Sequence, residues 1–247
     1  MSADTAAAGA APTPATGTTP ALRLLLASQS PARLATLRSA GVTPEVRVSG
    51  LDEDAVLEAA AARFGALDPA DAVLVLAQAK AEEVAQVLTR EAREREDASD
   101  VVGHHEVAPV VVGCDSMLEF AGTVHGKPRD AAEATERWRA MRGKAGVLHT
   151  GHWIVDLRDP ADGGSGATLG ATSSTTVHFA DLSDAEIAAY VATGEPLAVA
   201  GAFTVDGLGG AFVESIEGDH HGVVGISLPL VRELLGEIDV AWTDLWA

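Results

Sequence analysis

The pattern of apolar and polar residues predicts a strand, a turn and a helix near the start of the chain. Three leucines at positions 24–26 are followed by the small polar stretch 27–31, and apolar residues then recur at Leu34 and Leu37. That spacing predicts a helix, and Ser30 before Pro31 predicts its first turn. A strand that leads into a helix N-terminus forms an anion site, because free N–H groups and the helix dipole converge there. The alternative is an ordinary strand–turn–helix unit that opens an α/β domain.

Charged residues inside or beside that turn indicate what it could bind. Arg33 lies in the first helical turn, where the dipole favours acidic residues, so the arginine indicates an anionic ligand. Residues 44–48 alternate like an edge strand, and Asp52, Glu53 and Asp54 follow at the end of that strand. These acids are either a solvated helix N-terminus or a carboxylate cluster for a hard cation such as Mg²⁺.

Two charged residues, Lys80 and Asp115, lie within or at the end of apolar segments, which makes them candidate site residues. Residues 71–94 have the periodicity of a long helix, and Lys80 lies on its apolar stripe. The lysine side chain either extends outward to water or points into a site. Residues 110–116 are predicted to be a buried strand that ends in an acid, Asp115, and α/β sheets bind their ligands beyond the carboxyl ends of their strands. The alternative for Asp115 is a capping role. Between these elements, residues 91–108 are predicted to be an exposed connection that includes His104 and His105.

The remaining segments carry weaker signals. Residues 122–128 approach a P-loop, but the spacing is one residue short and Pro128 replaces the required Ser or Thr. Lys127 is therefore a candidate phosphate contact without the P-loop arrangement. The glycine-dense stretch 200–210 lacks the spacing of a dinucleotide-binding loop. Helices are predicted after Asp130 and Ser183, the latter through a capping box with Glu186, and from Pro229.

Composition narrows the class of protein. The 247 residues are 47% hydrophobic and carry a formal charge of −19. Such an acidic chain is not expected to bind nucleic acid, and it would handle phosphates only through a few focused cations and a divalent metal. The single cysteine, Cys114, excludes an intrachain disulfide, and no apolar run reaches the roughly 20 residues of a membrane span. We therefore expect a cytoplasmic protein with a disordered tail at residues 1–20 and one domain at 21–247.

Several segments, in order along the chain, resemble the Maf (septum-formation) family of nucleoside triphosphate pyrophosphatases, and the actinobacterial-type branch in particular. The resemblance extends from about Leu24 to Leu235. It rests on the segments LLLASQSPARLATLRSAGV, SGLDED, AQAKAEEVA, VVGCDSM, HGKPRDAAEA, LSDAEIAAYVATGEPLAVAGAF, DGLGGAFVESIEG and VVGISLPLVRELL.

The resemblance implies an elongated mixed β-sheet with flanking helices, folded as two lobes around a central cleft. It also implies a homodimer that hydrolyses a nucleoside triphosphate to a monophosphate and pyrophosphate with Mg²⁺ or Mn²⁺. Such enzymes are thought to cleanse the nucleotide pool and are linked to septation arrest. The residues that match the family's catalytic groups are Asp115, Glu53, Lys80 and Lys127, of which Asp115 and Glu53 would also hold the metal. The serine-rich loop matches Ser28, Ser30 and Arg33.

The chain departs from the better-known branches at the positions that set substrate specificity. Ala32 replaces an arginine, Ser116 replaces a threonine, and Asp206 replaces a glutamine in the substrate-binding set. Base preference therefore does not transfer from the resemblance. The alternative function is a nucleotide-binding regulator of septation in which catalysis is not essential, or, more remotely, a hydrolase of other phosphate esters.

Overall fold

The computed structural model describes residues 22–98 and 108–246, which form a mixed α/β structure. The predicted tail and the pair His104–His105 lie outside the described residues. The strands are β1 Leu24–Ala27, β2 Glu45–Val46, β3 Val110–Phe120, β4 Thr123–His125, β5 Ala145–Asp156, β6 Thr168–Phe179 and β7 Val213–Glu217. The helices are α1 Pro31–Ser39, α2 Glu53–Phe64, α3 Pro69–Ala98, α4 Ala131–Met141, α5 Asp184–Ala192, α6 His220–Val224 and α7 Leu228–Gly236.

The seven strands form one mixed sheet, which confirms the predicted fold class; six of them follow the order β2-β1-β3-β5-β6-β7, and β4 pairs with β3. On one side of β3, β1 pairs in parallel with residues 110–113 and β4 pairs antiparallel with residues 118–120. Residues 114–117 lie in the gap between these two neighbours. Asp115 and Ser116 therefore lie where the strand order breaks, which is where α/β sheets bind ligands.

Helix α3 lies close against the sheet because two strand residues opposite it are glycines. A Cβ atom on Gly113 in β3 would lie 2.3 Å from the carbonyl oxygen of Ala77, and one on Gly151 in β5 would lie 2.3 Å from that of Val73. A side chain at either position would push the helix outward. The close approach places the side chains of α3 next to the end of the β3 apolar run.

The described residues contain three hydrophobic cores. Two of them underlie the two lobes, and the third packs α3 against β1, β3 and β5 around Val84, Val111 and Val155. The first packs α1 and α7 against β1 and the start of β3, with Leu26, Leu37 and Leu235 fully buried. The second packs α4 and α5 against the far end of the sheet around Trp138 and Phe179, whose rings meet edge to face at 5.6 Å. Loops from both lobes line the cleft between the cores.

Most predicted helix starts agree with the structure because local side chains cap them. Ser30 accepts a hydrogen bond from Arg33 N, Asp130 accepts one from Glu133 N, and Ser183 forms the capping box with Glu186. Helix α7 begins at Leu228, one residue before the predicted Pro229.

Four boundaries predicted from the sequence are wrong. The strand does not end at Asp115, because β3 continues to Phe120 and pairs with β5 as far as Glu119. The strand predicted for 44–48 contains only Glu45 and Val46, since only these residues pair with β1. The three acids do not end a strand but begin a helix, which was one of the two alternatives: Asp52 caps α2 by accepting from Ala55 N, and Glu53 is the first residue of that helix. The connection predicted from residue 91 is helical as far as Ala98, because α3 continues through this charged segment.

No helix in the described ranges combines the length and apolarity needed to cross a bilayer.

Candidate active site

A single cleft of about 890 Å³ brings together all the site residues predicted from the sequence. It opens between the turn after β1, the start of α2, the middle of β3 and the loops that follow β4 and α5. The predicted residues that line it are Ser28, Ser30, Ala32, Arg33, Glu53, Lys80, Asp115, Ser116, Lys127 and Asp206.

The ammonium group of Lys80 bridges two carboxylates in this cleft. Its Nζ atom lies 2.6 Å from Asp115 Oδ1 and 2.8 Å from Glu53 Oε1. Lys80 and Asp115 are each only 8% exposed, whereas the side chain of Glu53 is 52% exposed. The lysine on the apolar stripe of α3 therefore points into a site and does not extend to bulk water. Two of its three N–H donors face carboxylates, which leaves one for a ligand.

Burial sets the electrostatics of Asp115. It raises the pKa of this carboxyl group above its ordinary value of 3.8, and the positive charges of Lys80 and Arg33 offset only part of the increase. A carboxylate with a raised pKa takes up a proton more readily near neutral pH. This is the property that a general base in a hydrolase requires.

Arg33 has a structural role that the sequence did not indicate. Its guanidinium group donates to Gly225 O at 2.6 Å, to Cys114 O at 2.9 Å, and to the hydroxyl groups of Ser28 and Ser116. The bond to Cys114 O reaches the segment of β3 that has no strand neighbour on that side. Because four of its five N–H groups are used within the protein, Arg33 fixes the shape of the cleft and retains one N–H for a ligand.

A network of hydroxyl groups extends from Arg33 into the sheet. Ser116 Oγ lies 2.9 Å from Thr150 Oγ1, and Thr150 donates to Gly222 O at 2.8 Å. This network joins α1, β3, β5 and α6 around the cleft. Ser116, which is predicted to bind substrate, therefore also has a structural role, because its hydroxyl group forms hydrogen bonds with both Arg33 and Thr150.

Lys127 and Asp206 differ from the other charged residues of the cleft. Both are exposed, and neither has an ion pair or side-chain hydrogen bond with any residue in the ranges 22–98 and 108–246. The two side chains are therefore available to a ligand without first breaking a contact within the protein.

Glu195 lines the same cleft and was missed by the sequence analysis. It accepts hydrogen bonds from Thr204 Oγ1, from Leu208 N at 3.0 Å and from Gly209 N at 3.0 Å. Burial alone would raise the pKa of Glu195, but these hydrogen bonds lower it below its ordinary value. The signal was the glycine-dense stretch itself, because Leu208–Phe212 forms a short 3₁₀ helix whose first N–H groups have no acceptor within the helix.

Glu53 and Asp115, which both contact Lys80 Nζ, are the two carboxylates that were predicted to hold a divalent cation. No group of three His, Cys, Asp or Glu side chains suited to a metal occurs in the described part of the chain. Mg²⁺ in nucleotide enzymes is commonly held by one or two carboxylates together with water and substrate phosphates. Two carboxylates that converge on one point of the cleft fit that pattern.

Comparison with known proteins identifies the family. The family model described as "Maf-like protein" matches residues 23–238. A protein of Salinispora tropica named "Nucleoside triphosphate pyrophosphatase" is 52% identical over 227 residues, which covers 92% of this chain and 88% of that protein. Proteins with the same name from Streptomyces avermitilis and Streptomyces coelicolor are 52% and 50% identical, and each alignment covers 92% of this chain and 96% of the relative. The chain therefore belongs to the Maf family.

Proposed function

We propose that this protein hydrolyses nucleoside triphosphates between the α and β phosphates, which yields a nucleoside monophosphate and pyrophosphate. The name shared by its relatives supports the general activity. The observation that carries the proposal is the buried contact between Lys80 and Asp115, with Glu53 on the same ammonium, in a cleft lined by further cations.

The cationic residues of the cleft are suited to a triphosphate. Lys127 has no partner within the described residues, and Lys80 retains one N–H donor. The first turn of α1 lines the cleft as well, so the positive end of its dipole adds to these charges. Because the whole chain carries a charge of −19, this local concentration of positive groups is needed to attract a polyanion.

Asp115 is the group best placed to activate water. In the proposed step, a water oxygen forms a bond to the α phosphorus while its proton passes to the Asp115 carboxylate. The bond between that phosphorus and the bridging oxygen breaks, and pyrophosphate leaves with the electron pair. Lys80 and Lys127 neutralise the charge that develops on the phosphate oxygens.

We propose Mg²⁺ or Mn²⁺ as the cofactor, with Glu53 and Asp115 as its protein ligands. When bound, such an ion supplies charge neutralisation and polarisation at the phosphate oxygens. Glu53 is the more exposed of the two carboxylates, so it can exchange its contact with Lys80 for a ligand at little cost.

The test is pyrophosphate release from a panel of nucleoside triphosphates, with and without Mg²⁺ or Mn²⁺. We expect Asp115→Asn to lower kcat by about 10²- to 10⁴-fold, because the amide cannot accept the proton. Thermal unfolding of the variant controls for folding. Near-normal turnover by folded Asp115→Asn would contradict the role of Asp115, and no release from any nucleotide by the native protein would contradict the proposed function.

The wider roles implied by the family resemblance stay predictions. They are removal of non-standard or excess nucleotides, a link to cell-division arrest, a homodimeric assembly and a cytoplasmic location.

A further inference from the structure

Seven charged side chains of the described residues line the cleft, and only two of these seven lack a partner within the same part of the chain. Glu53 and Asp115 both contact Lys80, and Glu195 accepts from Leu208 N and Gly209 N. Arg33 donates to Gly225 O, Cys114 O and two hydroxyl groups. Among the described residues, Lys127 is the cation without a partner in the cleft, and Asp206 is the corresponding acid. A ligand that satisfies both groups has an anionic end and an end that donates hydrogen bonds.

The turn that carries Asp206 is held in a fixed position. Glu195 accepts from Leu208 N and Gly209 N, which lie two and three residues after Asp206. A Cβ atom on Gly207 would lie 2.7 Å from Glu195 Oε2, and one on Gly209 would lie 2.4 Å from Tyr190 Oη. The backbone around Asp206 thus packs directly on Glu195 and Tyr190, while the Asp206 side chain is exposed to the cleft.

Charge determines which end of a nucleotide Asp206 meets. An unpaired carboxylate repels phosphate oxygens, so a triphosphate is favoured at Lys80 and Lys127 and disfavoured at Asp206. The uncharged part of the substrate, the base or the ribose, is therefore the part that Asp206 can contact. An ionised carboxylate accepts hydrogen bonds and donates none, so its partner must be a donor.

We propose that Asp206 selects nucleotides whose base presents hydrogen-bond donors, and that guanine nucleotides are preferred over uracil and thymine nucleotides. This inference rests on the proposed function. Guanine presents a ring N–H and an amino group side by side, which matches the two oxygens of a carboxylate. Uracil and thymine present a single N–H between two carbonyl oxygens, and those oxygens are repelled by the carboxylate.

The experiment measures kcat/KM for pyrophosphate release from GTP, dGTP, UTP and dTTP. The proteins are the native chain, Asp206→Asn, Asp206→Ala and the control Asp162→Asn, which removes an exposed acid on the β5–β6 loop outside the cleft. We expect the native protein to favour GTP over UTP by about tenfold to a hundredfold, as a bidentate contact to a base would give. The preference should decrease towards unity in Asp206→Ala and be retained in Asp162→Asn. Asp206→Asn should gain activity with UTP, because its amide donates as well as accepts.

The other possible results overturn either this inference alone or the proposed function together with it. Equal kcat/KM values for GTP and UTP in the native protein, or a GTP preference that Asp206→Ala leaves unchanged, would overturn the inference while the proposed function stands. A loss of the GTP:dGTP ratio in Asp206→Ala with an unchanged GTP:UTP ratio would overturn it in favour of ribose recognition. Absence of pyrophosphate from every nucleotide would overturn the proposed function and this inference with it.

Discussion

At the scale of single residues, the site depends on one lysine that lies between two acids. Lys80 is nearly buried, and a buried ammonium group is stable only when carboxylates pair with it. Asp115 and Glu53 provide that pairing from β3 and α2. The same arrangement leaves Asp115 as an acid whose pKa is raised by burial and only partly restored by Lys80 and Arg33. The buried environment of the cleft therefore affects catalysis by changing the fraction of Asp115 that is ionised at a given pH.

The pH dependence of activity tests this link. Because a general base acts only when ionised, we expect kcat/KM to decrease as the pH falls through the raised pKa of Asp115. The acidic limb should therefore lie above the ordinary aspartate value of 3.8. Initial rates of pyrophosphate release between pH 4 and 9 would locate it, with circular dichroism at each pH as a control for unfolding. A rate that stays constant down to pH 4 would contradict the role of Asp115.

At the scale of elements, the position of α3 on the sheet sets the distance between Lys80 and Asp115. Lys80 lies three residues after Ala77, and Asp115 lies two residues after Gly113. The Ala77 carbonyl oxygen is the atom that a side chain at Gly113 would meet, at 2.3 Å. Because Gly113 has no side chain, α3 can pack closely on β3, and this close packing brings Lys80 within reach of Asp115.

Gly113→Ala should therefore damage both stability and activity. We expect the free energy of unfolding to decrease by about 1–3 kcal/mol, the usual cost of overpacking a core, because the helix or the strand must move. Activity should also fall, since the same movement separates Lys80 from Asp115. Urea denaturation and pyrophosphate release measure the two effects. Gly236→Ala is the matched control, because nothing lies within 4 Å of a Cβ atom there; equal stability of the two variants would contradict the argument.

The elements also show how far the sequence could predict this molecule. Helix starts such as those at Ser30 and Asp130 were predictable because the capping residue lies within three residues of its partner. The extent of β2 was not, because strand pairing depends on where a distant neighbour ends. Arg33 contacts Gly225, which is 192 residues away, so its structural role has no local signal. Glu195 was missed for a similar reason, since its partners lie in a glycine-rich turn 9 to 14 residues further on.

At the scale of the whole molecule, a buried histidine connects the sheet to the C-terminal helix. His152 in β5 has no exposed surface, and its Nε2 atom accepts a hydrogen bond from Ser227 N at 2.8 Å. Ser227 caps α7 by accepting from Leu230 N. A ring that accepts at Nε2 is neutral, with its proton on Nδ1. Burial and, to a smaller extent, the charge of Arg33 lower the pKa of His152 from 6.5 to about 4.

This histidine should make the protein less stable in mild acid. Between pH 6.5 and 4 the unfolded chain binds a proton at His152 that the folded chain does not. The stabilising effect of the neutral ring is therefore complete above pH 6.5 and is lost as the pH falls towards 4. The pKa difference corresponds to about 3 kcal/mol of unfolding free energy across that interval.

His152→Gln separates this effect from the titration of the 36 acidic residues, which both proteins share. The glutamine amide oxygen can accept from Ser227 N but does not titrate, so the variant should lose less stability than the native protein between pH 6.5 and 4. Urea denaturation at several pH values in this interval measures both slopes. The difference between them isolates His152, because every other titrating group contributes equally to the two proteins. Parallel slopes would mean that the ring is protonated in the folded state, which would require the Ser227 hydrogen bond to break and α7 to lose its contact with β5.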